Sequence, residues 1–442
     1  MDNQPIWQQV RSQAMATPSI YGAVDFDTIP ERLVIQPGQP HDLGPGHDDL
    51  RERVIAMPGM ADRMRAYTFM GDRVADPYAA LMPEFGFKRL VEMISEACDH
   101  GVDSVKDAPP ELRALIEAME KTPDWLDMTL VEEGARYERA ETAVLSPISM
   151  RAAFIATFVN RYAALPMALT GSLSSESAAR RVRETSTFFT TSVLPGALAR
   201  DGEGFKAAAM VRLMHSMVRF NAMRKGRWDV AVYGIPIPQV DQMPAGLVSA
   251  TKLATAAVRA GRKEFTPAER ARVELNRFRC YLLGLPETLL QASPEDIVTL
   301  AVARQSTLRP GFDEATCGEL LSATLDAYLP RDRSFFSRAF NAIEKGFSKV
   351  FFVMSFANND AKKAEEMGVT LTLFDRAAFA LAGAVCAVRL AIYKFAETVP
   401  GLAGIADRRV VAILRKQLAS YGKAHFTTDA SAYRPAAPAA KT

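Results

Sequence analysis

Histidine and cysteine are scarce in this 442-residue chain, which contains five histidines and four cysteines. The cysteines form no C-x-x-C pair, so the sequence indicates neither a disulfide framework nor a zinc site, and we expect free thiols. Metal centres that need several histidines are also disfavoured, because the chain has neither an H-E-x-x-H motif nor an E-x-x-H pair. If a metal is bound, a single histidine must hold it.

Motifs of the common nucleotide and hydrolase sites are absent too. The sequence has no G-x-x-x-x-G-K-[ST] loop, no G-x-G-x-x-G fingerprint and no G-x-S-x-G elbow. Its 53 basic and 51 acidic residues nearly balance at a net charge of +2, so we expect no nucleic-acid partner.

Signals for secretion or membrane insertion are lacking as well. The N-terminus has no basic start followed by an apolar run. The longest uninterrupted apolar run, Ala377 to Val388, has 12 residues and lies between Arg376 and Arg389. A transmembrane helix needs about 20 apolar residues. We therefore expect a cytoplasmic protein without a transmembrane segment.

Helical periodicity is what the chain does contain, from about Met60 almost to its end. Helix start signals recur, and the clearest are Thr266-Pro267-Ala268-Glu269 and Ser293-Pro294-Glu295-Asp296. Each has a hydroxyl at the N-cap, a proline at the first helical position and an acid at the third. Alternating strands bounded by hairpin turns are not evident. The sequence therefore predicts an all-α fold.

Composition divides the chain into three parts. Residues 1–60 are predicted to be an N-terminal arm and loop, because much of this segment is rich in Pro, Gly and Asp. Residues 61–425 are predicted to form a single helical domain. Residues 426–442, rich in Pro and Ala, are predicted to be a disordered tail. Within the helical domain, three prolines and a glycine from Trp228 to Pro244 interrupt the helical pattern.

His215 is the only histidine in the middle of the chain. Arg212 and Arg219 lie three residues before and four after it, so the three share one face of a helix predicted over residues 205–224. A lone histidine on an apolar helix is most simply a core residue. It can also be the proximal ligand of a non-covalent haem b, since no C-x-x-C-H motif occurs, with the arginines binding propionates. Protein acids such as Asp229 are an alternative partner for the arginines.

A second polar stripe lies on an upstream helix, predicted to begin near residue 174. Arg181, Glu184, Thr185 and Phe188 recur at the spacing of one helix face. On an exposed face, Arg181 and Glu184 would form an ordinary ion pair of little consequence. Facing a cofactor, the same stripe would offer a hydrogen-bond donor, a base and a hydroxyl. Composition leaves both interpretations open.

Several segments in a fixed order resemble a family of haem b oxygenases. This family includes latex clearing protein (rubber oxygenase) and the endoplasmic-reticulum oxygenase that shortens a prenyl side chain in mycophenolic acid biosynthesis. The resemblance covers roughly residues 65–290 and implies a globin-related fold, with a haem core at about 125–290 and an apolar tunnel. The segments that carry it are Gly71-Asp72…Ala75-Asp76, Pro123-x-Trp125-x-Asp127, Arg181-x-x-Glu184-Thr185, Pro195-Gly196-Ala197, Arg212 to Arg219, Trp228-Asp229 and Gly234-Ile235-Pro236-Ile237-Pro238-Gln239-x-Asp241.

The resemblance also implies roles for the candidate residues. His215 would be the proximal haem ligand, Arg212 and Arg219 would lie in the haem pocket, and Arg181 and Thr185 would lie on the distal side. The implied reaction adds both atoms of dioxygen across a carbon–carbon double bond and gives two carbonyl fragments. The implied substrate is a hydrophobic, unsaturated small molecule of isoprenoid type.

Two departures from the rubber-cleaving branch concern the distal side. That branch has a lysine where this chain has Glu184, and the lysine can close onto the iron as a sixth ligand. It also has an acid upstream of the arginine–threonine motif, proposed as a base, whereas no acidic residue occurs here between Glu141 and Glu176. Glu184 is therefore our candidate for the base.

Three functions remain open from the sequence. We favour a haem b-dependent dioxygenase that cleaves an alkene. A haem-binding carrier or gas sensor without alkene chemistry is the first alternative. A haem-free helical interaction protein, in which His215 and its arginines form a buried polar cluster, is the second.

Overall fold

Helices make up the regular secondary structure of the computed structural model, which describes residues 3–44, 46–170, 174–224, 226, 228–357 and 359–422. Within these ranges no β-strand forms, and one isolated bridge joins Leu33 and Leu308. The all-α prediction is therefore confirmed, while the relation to globins stays a prediction.

In chain order, the α-helices of the described ranges are α1 Gln4–Ala16, α2 Pro18–Tyr21, α3 Asp48–Ile55, α4 Met60–Thr68, α5 Ala75–Ala80, α6 Met82–Phe85, α7 Phe87–His100, α8 Pro110–Glu120, α9 Met128–Ile155, α10 Arg161–Leu169, α11 Ser175–Thr191, α12 Glu203–Arg224, α13 Val230–Tyr233, α14 Gln239–Gly246, α15 Val248–Arg259, α16 Pro267–Leu282, α17 Pro294–Thr307, α18 Glu319–Asp326, α19 Phe335–Phe356, α20 Ala361–Glu366, α21 Leu373–Thr398 and α22 Leu402–Tyr421. Short 3-10 helices cover Val102–Ser104, Ala156–Phe158 and Glu287–Leu289, and one π-helical turn covers Glu314–Gly318.

Hydroxyl caps begin the helices at the places that the sequence indicates. At α16, the Thr266 hydroxyl accepts from the backbone N–H of Glu269 and the Glu269 carboxylate accepts from that of Thr266, which forms a complete capping box. Ser293 caps α17 through its hydroxyl, which accepts from the backbone N–H of Asp296. Ser174 caps α11. These helix starts were predictable because the interactions span only three residues.

The N-terminal segment differs from the expected arm and loop, because three helices lie within residues 3–60. In α1, Ile6 and Val10 are buried, so this segment packs through an apolar face rather than extending from the molecule. The irregular, Pro- and Gly-rich part is confined to the chain between α2 and α3.

The chain divides into two compact units. The first combines residues 1–134 with residues 198–310. In this unit α12 contacts α2, α5, α7 and α16, and most of its side chains are buried. Helix α12, which carries His215, is therefore a central helix of the first unit.

The second unit combines residues 135–197 with residues 311–425. At its centre the fully buried Arg151 donates to the Glu344 carboxylate and to the carbonyls of Thr324, Leu325 and Ala327. In the same unit α11 contacts α18 and α22, and α19 contacts α21. The single domain predicted for residues 61–425 stays a prediction, and the predicted tail, residues 426–442, lies outside the described residues.

By its length and composition, helix α21 could cross a membrane. Of its 18 most apolar consecutive residues, 11% are buried. The pair Met128–Phe158 and Arg161–Leu169, bent by 108°, passes the same test when it is taken as one span. One or two such helices among the described residues are weak evidence, since core helices of soluble proteins also pass. Helix α21 continues beyond Arg389, the residue at which the apolar run of the sequence ends. The absence of a transmembrane segment and the cytoplasmic location therefore stay predictions.

Candidate functional site

The six predicted site residues fall on two helices. Helix α12 of the first unit carries His215 and both arginines, Arg212 and Arg219, whereas α11 of the second unit carries the other three. Each set is brought together by its own helix.

Arg212 forms a buried ion pair with a carboxylate far away in the sequence. Its Nε and Nη2 donate to the two oxygens of Asp72, each at 2.7 Å. The two side chains are only 5% and 2% exposed. A Cβ atom at Gly284 would lie 2.6 Å from the Asp72 carboxylate and 3.0 Å from Arg212. Gly284 thus leaves the room that this bidentate pair occupies.

Arg219 makes the second buried pair, about two turns further along α12. Its Nε donates to both oxygens of Asp76, at 2.8 and 3.0 Å. Nη2 donates to Ser216 at 3.1 Å, and Nη1 donates to the carbonyl of Ile237 at 2.9 Å. The Tyr21 hydroxyl donates to the same Asp76 carboxylate. Arg219 therefore joins α12 to the start of α5 and to the segment before α14.

The pKa values of Asp72 and Asp76 are shifted in opposite directions. Burial raises the pKa of Asp72, but the charge and hydrogen bonds of Arg212, together with the charge of Arg219, more than offset this, so its pKa lies below the ordinary value. At Asp76 burial outweighs the attraction of Arg219, and the nearby Asp72 raises its pKa further. Two acids and two bases make this cluster close to neutral, so its arginines have no excess positive charge.

The carboxylates that pair with Arg212 and Arg219 thus belong to the protein, whereas the sequence had also allowed haem propionates as partners. This corresponds to the alternative of protein acids, although the acids are Asp72 and Asp76. Asp229, which we named as an example, is exposed and instead caps α13 by accepting from the N–H of Ala231. The position of these arginines in a haem pocket stays a prediction.

The interrupted segment after Trp228 returns the chain to α12. The indole N–H of Trp228 donates to the carbonyl of Gly234, and Gly234 has a φ of +68°. Ile237 has a φ of +46°, a conformation that costs a β-branched residue about 1–3 kcal/mol. Its carbonyl receives the Arg219 hydrogen bond described above. The break between helices is confirmed, but α14 already begins at Gln239.

His215 is half-buried on α12. Its Nδ1 lies 2.9 Å from Oε1 of Gln242, on α14. Imidazoles that ligate a metal through one nitrogen usually hydrogen-bond through the other. The chemistry of this donor set therefore fits a haem held by one imidazole.

On α11, the residues Arg181, Glu184 and Thr185 are half-buried and share one face. On the same helix, Ala178 and Ala179 pack against Ala323 and Ala327. The stripe is therefore neither a core face nor a freely exposed ion pair.

Thr185 differs from its neighbours on α11. The hydroxyls of Ser186 and Thr187 donate to the carbonyls of Val182 and Arg183, at 2.7 and 2.8 Å. Within the described part of the chain the Thr185 hydroxyl makes no hydrogen bond. It can therefore donate to a ligand without first breaking an internal bond.

Four residues of the site were not named as functional candidates from the sequence. Asp72, Asp76 and Gln239 stood in the segments that carried the family resemblance, but nothing in the local pattern indicated their partners. Gln242 stood just beyond such a segment. Its position one turn after Gln239 was the only available signal.

The family described as "ER-bound oxygenase mpaB/B'/Rubber oxygenase, catalytic domain" matches residues 136–389, more than half of the chain. The chain belongs to this family. All six predicted site residues lie within the match, whereas Asp72 and Asp76 precede it. The resemblance that the sequence motifs indicated is confirmed, although the matched range begins and ends later than the motifs suggested.

A solved structure has a similar fold. It is entitled "Structure of Latex Clearing Protein LCP in the closed state", with a TM-score of 0.53 and 16% sequence identity over 80% of this chain and 91% of that chain. At this identity the similarity shows the fold alone. No curated protein matches the chain. Membership in an oxygenase family makes the protein an oxidoreductase by class.

Proposed function

We propose that the protein is a haem b-dependent oxygenase that cleaves a carbon–carbon double bond of a hydrophobic, isoprenoid-like substrate with dioxygen. Membership in a family whose description includes rubber oxygenase supports the reaction class. One observation supports the cofactor in this proposal: His215 is half-buried, and its Nδ1 lies within hydrogen-bond distance of Gln242.

A macrocycle suits this site better than a bare metal ion. The described residues contain no group of three or more His, Cys, Asp or Glu side chains that could hold a metal ion. A haem supplies four ligands from its own ring, so the protein needs to supply only one imidazole. His215 would hold it without a covalent link.

The haem supplies the place at which dioxygen is bound and activated. In the overall reaction one carbon–carbon double bond breaks and each carbon receives one atom of dioxygen, so the two carbonyl products form without an external electron donor. Thr185 and Arg181 serve as hydrogen-bond donors to the reacting groups. Glu184 takes a proton from the allylic carbon of the substrate and later returns it.

Arg212 and Arg219 have a different role in this proposal. Because each is paired with a buried aspartate, they hold α12, and with it His215, against the residues that precede and begin α5. They are positioning residues for the ligand.

The absorption spectrum of the protein purified after expression with adequate haem tests the cofactor. We expect a Soret band that His215→Ala abolishes and that the exposed His100→Ala retains. A wild-type protein without the band would contradict both haem-dependent functions and favour the haem-free interaction protein.

Product analysis then separates an oxygenase from a carrier or sensor. With an unsaturated isoprenoid and ¹⁸O-labelled dioxygen, we expect two carbonyl fragments, each with one labelled oxygen. A haem-loaded protein that leaves such substrates intact would be a carrier or gas sensor.

A further inference from the structure

A chain of side-chain amides leads from His215 to the backbone of Gly71. Oε1 of Gln242 lies 2.9 Å from His215 Nδ1. Nε2 of Gln242 donates to Oε1 of Gln239 at 3.0 Å. Nε2 of Gln239 donates to the carbonyl oxygen of Gly71, also at 3.0 Å. Three hydrogen bonds in series thus connect the imidazole with a backbone carbonyl.

The direction of this chain follows from its last member. A backbone carbonyl can only accept, so Gln239 must turn its NH₂ group towards Gly71 and its oxygen towards Gln242. Gln242 must then donate to that oxygen, which leaves its own oxygen facing His215. An amide oxygen can only accept, so Nδ1 of His215 must carry a proton. The amide orientations are thus set by the network itself.

The Gly71 end of this chain of hydrogen bonds is fixed by further hydrogen bonds. The N–H of Gly71 donates to Oε1 of Gln13 at 2.8 Å, and Nε2 of Gln13 donates to the carbonyls of Phe69 and Val10. Gln13 and Gln239 are 3% and 1% exposed. A side chain at Gly71 would collide with Tyr21 and Asp76. Turning either buried amide around would place like groups against each other, at the cost of an unsatisfied buried polar group.

We propose that the Gly71–Gln239–Gln242 chain fixes His215 as the neutral tautomer with the proton on Nδ1, so that Nε2 presents its lone pair. Gln239 and Gln242 are then positioning residues for an iron ligand. The ligand part of this inference rests on the proposed function, whereas the tautomer is a property of the protein without haem. The partner is an uncharged amide, so the imidazole receives less negative charge than it would from a carboxylate.

Two-bond ¹⁵N–¹H correlation spectra of the full-length, haem-free protein, labelled at histidine, test the tautomer. At a pH where the imidazole is neutral, we expect His215 to show a protonated Nδ1 in the wild type. Gln242→Met should shift it towards the tautomer protonated at Nε2. Gln291→Met is the control, because among the described residues Gln291 bonds only to the nearby carbonyl of Thr288. A wild-type signal with Nε2 protonated, or a pattern that Gln242→Met leaves unchanged, would overturn the proposal.

A second variant keeps the inference testable if Gln242→Met folds poorly. Gln242→Glu retains an acceptor for Nδ1 and adds negative charge. In the haem-loaded protein we expect it to raise the iron–histidine stretching frequency and to lower the reduction potential, whereas Gln291→Glu should do neither. Unchanged values in Gln242→Glu would contradict the proposal. A wild-type protein that binds no haem but has Nδ1 protonated would contradict the proposed function and leave the tautomer assignment intact.

Discussion

Thr185 and Thr187 lie two residues apart on α11, yet only Thr187 donates to the helix backbone. This contrast offers a matched pair of variants at the scale of single residues. Thr185→Val should leave haem bound and lower turnover about five- to thirtyfold, because it removes a donor worth about 1–2 kcal/mol at the reacting group. Thr187→Val removes only a bond within the helix.

Steady-state turnover and the haem content of both variants check this prediction. Equal losses in the two variants would show that α11 supports the structure rather than the reaction. Loss of haem in Thr185→Val alone would place this hydroxyl in cofactor binding.

Single residues also show where prediction from sequence stops. The face shared by Arg212, His215 and Arg219 followed from helical spacing, and the need of the arginines for carboxylate partners followed from the cost of burying a charge. Their partners did not follow, since Asp72 lies 140 residues from Arg212. Such pairs are fixed by the packing of α12 against α5, which no local pattern encodes.

At the scale of helices, the capping box of α16 makes a pH-dependent contribution. Hydrogen bonds from Arg262, and then those from Thr266, lower the pKa of Glu269 to about 2 despite partial burial. In the unfolded chain its pKa is about 4.3. Because the folded value is the lower one, the stabilisation is complete above the unfolded pKa and is lost as the pH falls towards 2.

Glu269→Gln should therefore cost stability at neutral pH, by less than about 1 kcal/mol for a pair this exposed. The difference from wild type should shrink as the pH falls from about 4.5 to about 2. Urea unfolding across that range measures it, and a difference that does not change with pH would contradict the assignment.

Helices as a class were predictable, and their ends were predictable where caps are local. The N-terminal helices were missed because Pro and Gly in the next segment dominated the composition of residues 1–60. Pro244 lies inside α14, although the sequence placed this proline in the irregular segment from Trp228 to Pro244. Prolines favour an irregular chain, but a short helix tolerates one where tertiary contacts compensate.

At the scale of the whole molecule, the division into two units was not indicated by the sequence. Each unit is assembled from two separate stretches of the chain, so no shift in composition marks a boundary. The family match crosses both units, but it begins only at residue 136. The first unit therefore contains residues outside the match on which the matched residues depend.

This dependence predicts the behaviour of a truncated chain. A fragment limited to residues 136–389 retains Arg212 and Arg219 but loses Asp72 and Asp76, and each buried arginine left without its carboxylate costs about 3–5 kcal/mol. It also loses the Gly71 carbonyl that ends the amide chain. Because domains are stable by only about 5–15 kcal/mol, we expect this fragment to lack a cooperative unfolding transition.

Near-ultraviolet circular dichroism and thermal unfolding of the fragment measure this. A chain ending at residue 422 is the control, since it keeps both aspartates and every contact described above. A fragment that unfolds cooperatively and binds haem would show that the buried pairs are dispensable for positioning His215.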